Sequence, residues 1–260
     1  MVLTLTQSAF GLASGSLVGF SLGLVGGGGS ILAVPLLVYL VGVANPHVAI
    51  GTSAIAVAAS AAANLVNHAR AGNVKWRCAL VLAAAGSAGA LLGSSAGKAV
   101  DGQSLLALFA VVMILVSVLM LRGRSAVGDP SVRLSGENFW KLIGLGLAAG
   151  VLSGFFGIGG GFLIVPALVM ATGMPMLSAV GSSLVAVTAF GLTTAANYAF
   201  SGLVDWTLAG LFIAGGVAGG LLGAQSAKLL ADQKGALRTV FAALIFAVAV
   251  YMLVRSLGLA

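Results

Sequence analysis

The chain has 260 residues, of which 60% are hydrophobic and only 7% charged; twelve Lys and Arg against five Asp and Glu leave a formal charge of +7. Ordinary soluble domains carry about 25% charged residues, so a water-facing globular enzyme is excluded, and disorder is excluded because disordered chains are poor in apolar residues. A polytopic membrane protein remains, with room for about eight to ten membrane elements at roughly 20 residues each.

Taken in order, apolar runs fall at 2–25, 29–44, 47–69, 78–97 and 105–121. A polar stretch, 122–138, follows, and then five more runs at 139–156, 160–172, 177–200, 206–227 and 237–254. The expected fold is all-α: a first membrane repeat over 1–121, a linker over 122–138 and a second membrane repeat over 139–260. The N-terminal stretch has no positive region ahead of its apolar run and reads as a first membrane segment, not a cleaved signal peptide. Cys78 is the single cysteine and cannot form an internal disulfide.

The two sets of five match each other. Residues 23–35 (GLVGGGGSILAVP) lie over 154–166 (GFFGIGGGFLIVP), and 49–53 (AIGTS) over 179–183 (AVGSS). Gly72, Val74 and Trp76 fall on Gly202, Val204 and Trp206; Gly86, Gly89, Gly93 and Lys98 fall on Gly216, Gly219, Gly223 and Lys228. The offset holds at 130 or 131 residues, and chance overlap of Gly- and Ala-rich helices would not keep Pro, Trp and Lys in register.

Charge indicates how each half points. If 70–77 faces the cytoplasm, an inverted second half puts ten of the twelve Lys and Arg on that side, whereas a parallel one gives eight against four. Cytoplasmic loops favour Lys and Arg, so inverted-topology repeats in a cytoplasmic membrane are expected. The cations are dispersed between apolar runs and lack the clustered basic face that nucleic acid requires.

The sharpest local feature is the glycine break. Gly26 to Gly29, followed by Ser30, is mirrored by Gly157, Gly159, Gly160 and Gly161. Each Gly costs a helix about 1 kcal/mol relative to Ala. Broken backbone at membrane depth survives only where protein buries it or it lines a wet cavity. The run after the first break, 29–44, would be about 24 Å long as a helix, short of the roughly 30 Å hydrocarbon core. Short, Gly-opened segments at matching positions of two halves point to a transporter's midplane site. The amides of a new helix start carry the positive end of its dipole and suit an anion. The expected substrate-binding set is therefore Gly26, Gly28, Gly29, Ser30, Gly157, Gly159, Gly160 and Gly161. Further donors come from the third segments: Thr52, Ser53, Asn64, Asn67 and His68, with Ser182, Ser183, Thr194 and Asn197 in the second copy. Ser60 and Asn64 equally fit bonding between helices, His68 a satisfied interfacial histidine, and Lys98 and Lys228 caps on their own helix ends.

Enzyme signals are missing. There is no HExxH and no Cys/His cluster for a metal, and no Asp or Glu pair inside a membrane run. Residues 93–98 (GSSAGK) are one residue short of a phosphate loop, so no nucleotide or other cofactor is implied.

The glycine turns with their following prolines, the Gly-Thr-Ser and Gly-Ser-Ser starts, and the Gly-x-x-x-Trp approaches to the fourth segments resemble the TauE/SafE sulfite exporter family, also called toluene-sulfonate uptake permeases. The resemblance spans nearly the whole chain. It implies a transporter of sulfite, sulfonates or related organosulfur anions. The expected partners are that small anion and membrane lipid, and a homo-oligomer is compatible with the sequence. A passive anion channel or a non-transporting membrane partner are the alternatives on the same frame.

Overall fold

The computed structural model describes residues 4–122, 132, 134–229 and 234–256. All regular structure in them is helical. The first half comprises α1 (Leu5–Val25), a 3-10 stretch (Gly26–Leu32), one α-turn α2 (Ala33–Pro35), a π-helical turn (Leu36–Leu40), α3 (Pro46–Arg70), α4 (Trp76–Ala99) and α5 (Gly102–Arg122). The second comprises α6 (Gly136–Phe156), α7 (Gly161–Thr172), α8 (Met176–Ala199), α9 (Trp206–Leu229) and α10 (Lys234–Ser256). Most of the expected polar linker lies outside the described residues. Among the described residues six helices, α3, α4, α5, α6, α8 and α9, are long and apolar enough to cross a membrane, as in a multi-pass membrane protein.

Local chemistry starts the helices where the sequence places polar residues. The Asn45 side chain accepts from the His47 amide at 2.9 Å, with Pro46 in the first turn of α3, where a missing N–H costs nothing. The Asp101 carboxylate takes the amides of Gln103 and Ser104 at the head of α5, both at 3.1 Å. Ser135 caps α6 through the Asn138 amide.

The first break departs from expectation. Instead of a new α-helix, residues 26–40 form 3-10, α and π turns in succession. Four adjacent glycines impose no side-chain preference on the backbone, and Pro35 cannot donate the i→i−4 bond that would propagate an α-helix. Only the second break leads into a true helix, α7.

Packing between the halves is reciprocal. The most extensive interfaces are α1 on α9 and α4 on α6, the first segment of each half on the fourth of the other. The third segments α3 and α8 pair with each other, as do the fifth, α5 and α10. Small residues permit the closest approaches: a Cβ on Gly19 would run into the Gly216 backbone, and one on Gly150 into that of Gly86. Such contact between backbones is how membrane helices associate when lipid removes the hydrophobic drive. The same contacts give direction. Gly11, Gly15 and Gly19 meet Leu208, Phe212 and Gly216 in ascending order, so α1 and α9 run parallel. Gly89, Gly93 and Gly97 meet Leu147, Val151 and Phe155, so α4 and α6 do too. Gly51 meets Tyr198, Gly191 meets Ala58 and Gly181 meets Asn73, so α3 and α8 are antiparallel.

Candidate functional site

Helix α6 stops because Gly157 adopts φ +69°, and Gly159 and Gly160 follow at +64° and +67°. Three left-handed residues in four positions are open only to glycine without strain. Helix α7 then begins at Gly161, with Gly160 as its N-cap and no side chain capping its first turn. The Gly160 carbonyl accepts from Leu163 and Ile164 at 2.9 and 3.0 Å. The 3-10 stretch of the first half packs against α7 and α8, so the two breaks meet in the interior.

Most faces of the second turn are lined by hydrocarbon. A Cβ on Gly157 would strike Ile50 Cγ2, and one on Gly159 would lie 3.0 Å from Val57 and 3.1 Å from Val187. The remaining face is polar. Gly160 abuts Ser153, whose Oγ would stand 2.9 Å from an added Cβ. That hydroxyl is fully buried and has no hydrogen-bond partner among the described residues. An unmet buried hydroxyl costs about 1–3 kcal/mol, which a bound oxygen would recover. Ser153 was not among the residues the sequence suggested, because its repeat mate is Leu22 and the duplication drew attention to shared residues. Its spacing, one helical turn before Gly157, was the available signal.

Of the expected set, Gly157, Gly159, Gly160, Gly161 and Ser53 gather at this turn; Ser53 Oγ donates to Ile50 O at 2.9 Å and approaches Gly157 O at 3.4 Å. Gly29 and Ser30 are buried in the facing 3-10 stretch, Gly29 pressed on the backbone of Ser21 and Leu22, and Gly26 and Gly28 belong to the same stretch. Thr52 and Ser182 have structural partners. Thr52 Oγ1 accepts from the Asp205 amide at 3.0 Å, and Ser182 Oγ from the Lys75 amide at 2.8 Å. These are repeat mates doing the same thing: each fastens the start of the other half's fourth helix. Ser183 donates to Val180 O within its own helix.

The outer members of the third-segment stripe lie elsewhere. Asn64 donates to Ser60 O and lies against Gly220 on α9. Thr194 is buried without a partner among the described residues. Asn67 and His68 sit at the end of α3, and Asn197 at the end of the antiparallel α8. Asn197 Nδ2 donates to Ser94 and Ser95, and Lys98 Nζ donates to Asn197 O, Asn197 Oδ1 and Ser201 Oγ at 3.1, 2.8 and 2.8 Å. Lys98 thus caps the last turn of α8, not its own helix as the sequence suggested. No group of three or more His, Cys, Asp or Glu that could hold a metal occurs among the described residues.

A profile described as "Sulfite exporter TauE/SafE" matches residues 11–252. A "Probable membrane transporter protein" of Xylella fastidiosa (strain 9a5c) is 54% identical over 246 residues, 94% of each chain. "Probable membrane transporter protein YunE" of Bacillus subtilis is 28% identical over 77% of this chain and 81% of its own. "Probable membrane transporter protein MJ0441" of Methanocaldococcus jannaschii is 29% identical over 60% of both. No solved structure matches at a significant level.

Proposed function

The chain belongs to the sulfite exporter TauE/SafE family, a membrane transporter family, and we propose that it carries small sulfur-containing anions across the cytoplasmic membrane by alternating access. The observation that carries this reading is the second glycine turn. It combines a helix start with no side-chain cap and a buried, unpartnered Ser153 hydroxyl beside Gly160. Amides and a hydroxyl hold an oxyanion without a buried cation, as suits a chain whose charges cluster near helix ends.

Helix directions support the inverted-repeat frame. With α3 taken as ascending, α8 descends; α4 returns from α3 through 71–75, and α9 returns from α8 through 200–205. Since α6 follows α4 and α1 follows α9, each of α1, α3 and α4 runs opposite to its mate. Rocking of such halves would expose a shared interior site to each side in turn. In the conformation described, Ile50, Val57 and Val187 close on the turn, as an occluded state requires.

Ser153→Ala removes the hydroxyl without adding bulk and tests the site. Sulfite flux into proteoliposomes is expected to need about ten- to a hundredfold more sulfite for half-saturation, from the 1.5–3 kcal/mol of a hydrogen bond to a charged partner. An unaltered saturation curve from the folded variant overturns the assignment. Counterflow in the same vesicles separates a carrier from a channel.

A further inference from the structure

A second polar feature lies apart from the turns. Between the π-helical end of the first half's broken segment and the ends of α3, α5 and α10 opens a cleft of about 690 Å³. Its walls divide by chemistry. Val38 and Leu106 present hydrocarbon; Tyr39, His47, Gln103 and Arg255 present donors. The one acid on its rim, Asp101, is turned to the amides of Gln103 and Ser104. Arg255 has no carboxylate within ion-pair distance among the described residues.

Two further observations point to a missing guest. His47 Nδ1 is shielded from solvent and bonded to nothing described, and so is the hydroxyl of Tyr198 behind it. The two rings lie 6.4 Å apart, and Lys98 Nζ stands 5.8 Å from the far ring. Polar atoms buried without partners are costly, and a hydrogen-bonding guest would relieve that cost. Nor does the duplication explain the polar side chains at 39 and 47. Met170 and Leu177 occupy the positions that repeat Tyr39 and His47, so packing common to both halves is met by apolar residues. Under the inverted arrangement the charge pattern assigns two of the twelve Lys and Arg, Lys98 and Arg255, to the outer face, and Arg255 borders this mouth.

We propose that the cleft is a binding site for an anionic oxygen head group with a short apolar tail, and that it serves as the vestibule of the transport path. Arg255 takes the head group through its planar fork, Gln103 and Tyr39 add neutral donors, Val38 and Leu106 receive the tail, and His47 with Tyr198 leads inward. The vestibule role rests on the transport reading above; binding in the cleft does not. Two sources share this chemistry: a soluble sulfonate and the phosphate of an anionic lipid.

The test measures binding of benzenesulfonate and methanesulfonate to purified protein in lipid-free nonionic micelles, for the parent, Arg255→Gln and Arg255→Lys. A soluble guest predicts at least tenfold weaker benzenesulfonate binding for Arg255→Gln, a smaller loss for Arg255→Lys, and weaker binding of methanesulfonate throughout. A parallel arm scores phosphatidylglycerol retained by the same proteins from mixed nanodiscs. Loss of that lipid from Arg255→Gln, with sulfonate affinity intact, assigns the head group to lipid. If neither sulfonate affinity nor lipid retention changes, the cleft is not a head-group site. A Ser153→Ala protein that loses flux while Arg255→Gln loses affinity yet keeps flux overturns the vestibule alone and leaves the transport reading standing.

Discussion

The contact between Gly157 and Ile50 can be measured because it separates two costs that usually arrive together. Gly157→Ala places a Cβ on a residue at φ +69° and directs it into Ile50 Cγ2. The left-handed conformation alone costs a non-glycine residue about 1–2 kcal/mol. Forcing a methyl into a filled interior adds about 1–3 kcal/mol. Ile50→Ala, at a site 1% exposed, removes buried methyl groups at about 2–5 kcal/mol. In the double variant the clash with Ile50 Cγ2 is gone, and what persists is the backbone part and the tight but tolerable approach to the Cβ and carbonyl of residue 50, at 3.0 and 3.2 Å. The pair should therefore cost about 1–3 kcal/mol less than the sum of the single variants. Gly173→Ala is the control: its φ is +71°, but nothing lies within 4 Å of the added Cβ. It should lose only the backbone part and add to Ile50→Ala within about 0.5 kcal/mol. Unfolding in mixed SDS and nonionic micelles, followed by fluorescence of Trp76, Trp140 and Trp206, reads these differences. If Gly157→Ala and Ile50→Ala prove as additive as the control pair, the turn does not seat against Ile50, and the occluded reading of this conformation fails.

Two other outcomes follow from the bonds between and within the halves. Thr52→Ala and Ser182→Ala each leave one partly buried amide, of Asp205 and Lys75 respectively, without its hydroxyl acceptor. Each is expected to cost about 1–3 kcal/mol in the same unfolding assay, and the two losses should agree closely because the sites are repeat mates. The Asp101 carboxyl is held below its ordinary range, chiefly by the Ser104 amide and then by that of Gln103. A depressed carboxyl stabilises the fold at pH values above its unfolded value, near 3.9, and the contribution disappears as pH falls through the folded value. Thermal stability should thus be insensitive to this group between pH 5 and 7 and fall below about pH 4, with a shallower acid limb in Asp101→Asn.

Much of the frame was legible because duplication writes it twice. Gly72 and Gly202 were paired by register alone, and both take left-handed φ values, +72° and +68°. Gly42 and Gly173, which the sequence reading passed over, show the same match at +80° and +71°. Gly89 and Gly93 were paired with Gly219 and Gly223 by register, and the two pairs do the same work: the first seats α4 on α6, the second α9 on α1. The site was less legible. A hydroxyl's type and position do not say what it bonds, and Thr52 and Ser182 looked like substrate donors because the repeat preserves them. The structure gives a different reason for that preservation: two symmetry-related junctions need the same cap. Ser153 escaped notice for the converse reason, since a residue that differs between halves leaves no trace in a search for sameness.

That converse has a broader bearing on where chemistry resides in this fold. Elements that hold the halves together obey the duplication: α1 on α9 with α4 on α6, and Thr52 with Ser182. A packing role must be filled at both copies, because the contact surfaces are themselves duplicated. A ligand bound where the halves meet is under no such constraint, since one guest touches the two breaks from different sides. The departures from register are accordingly the residues to weigh for function. Ser153 stands against Leu22, Tyr39 against Met170, His47 against Leu177 and Tyr198 against His68. Four of these side chains, Ser153, His47, Tyr198 and His68, carry a buried polar atom without a partner among the described residues. Tyr198 and His68 are mates of each other, but no packing duty common to both halves accounts for the atoms of Ser153 and His47, whose mates are leucines. A hydrogen-bonding guest or water does: Ser153 stands against the second glycine turn, and His47 lines the cleft.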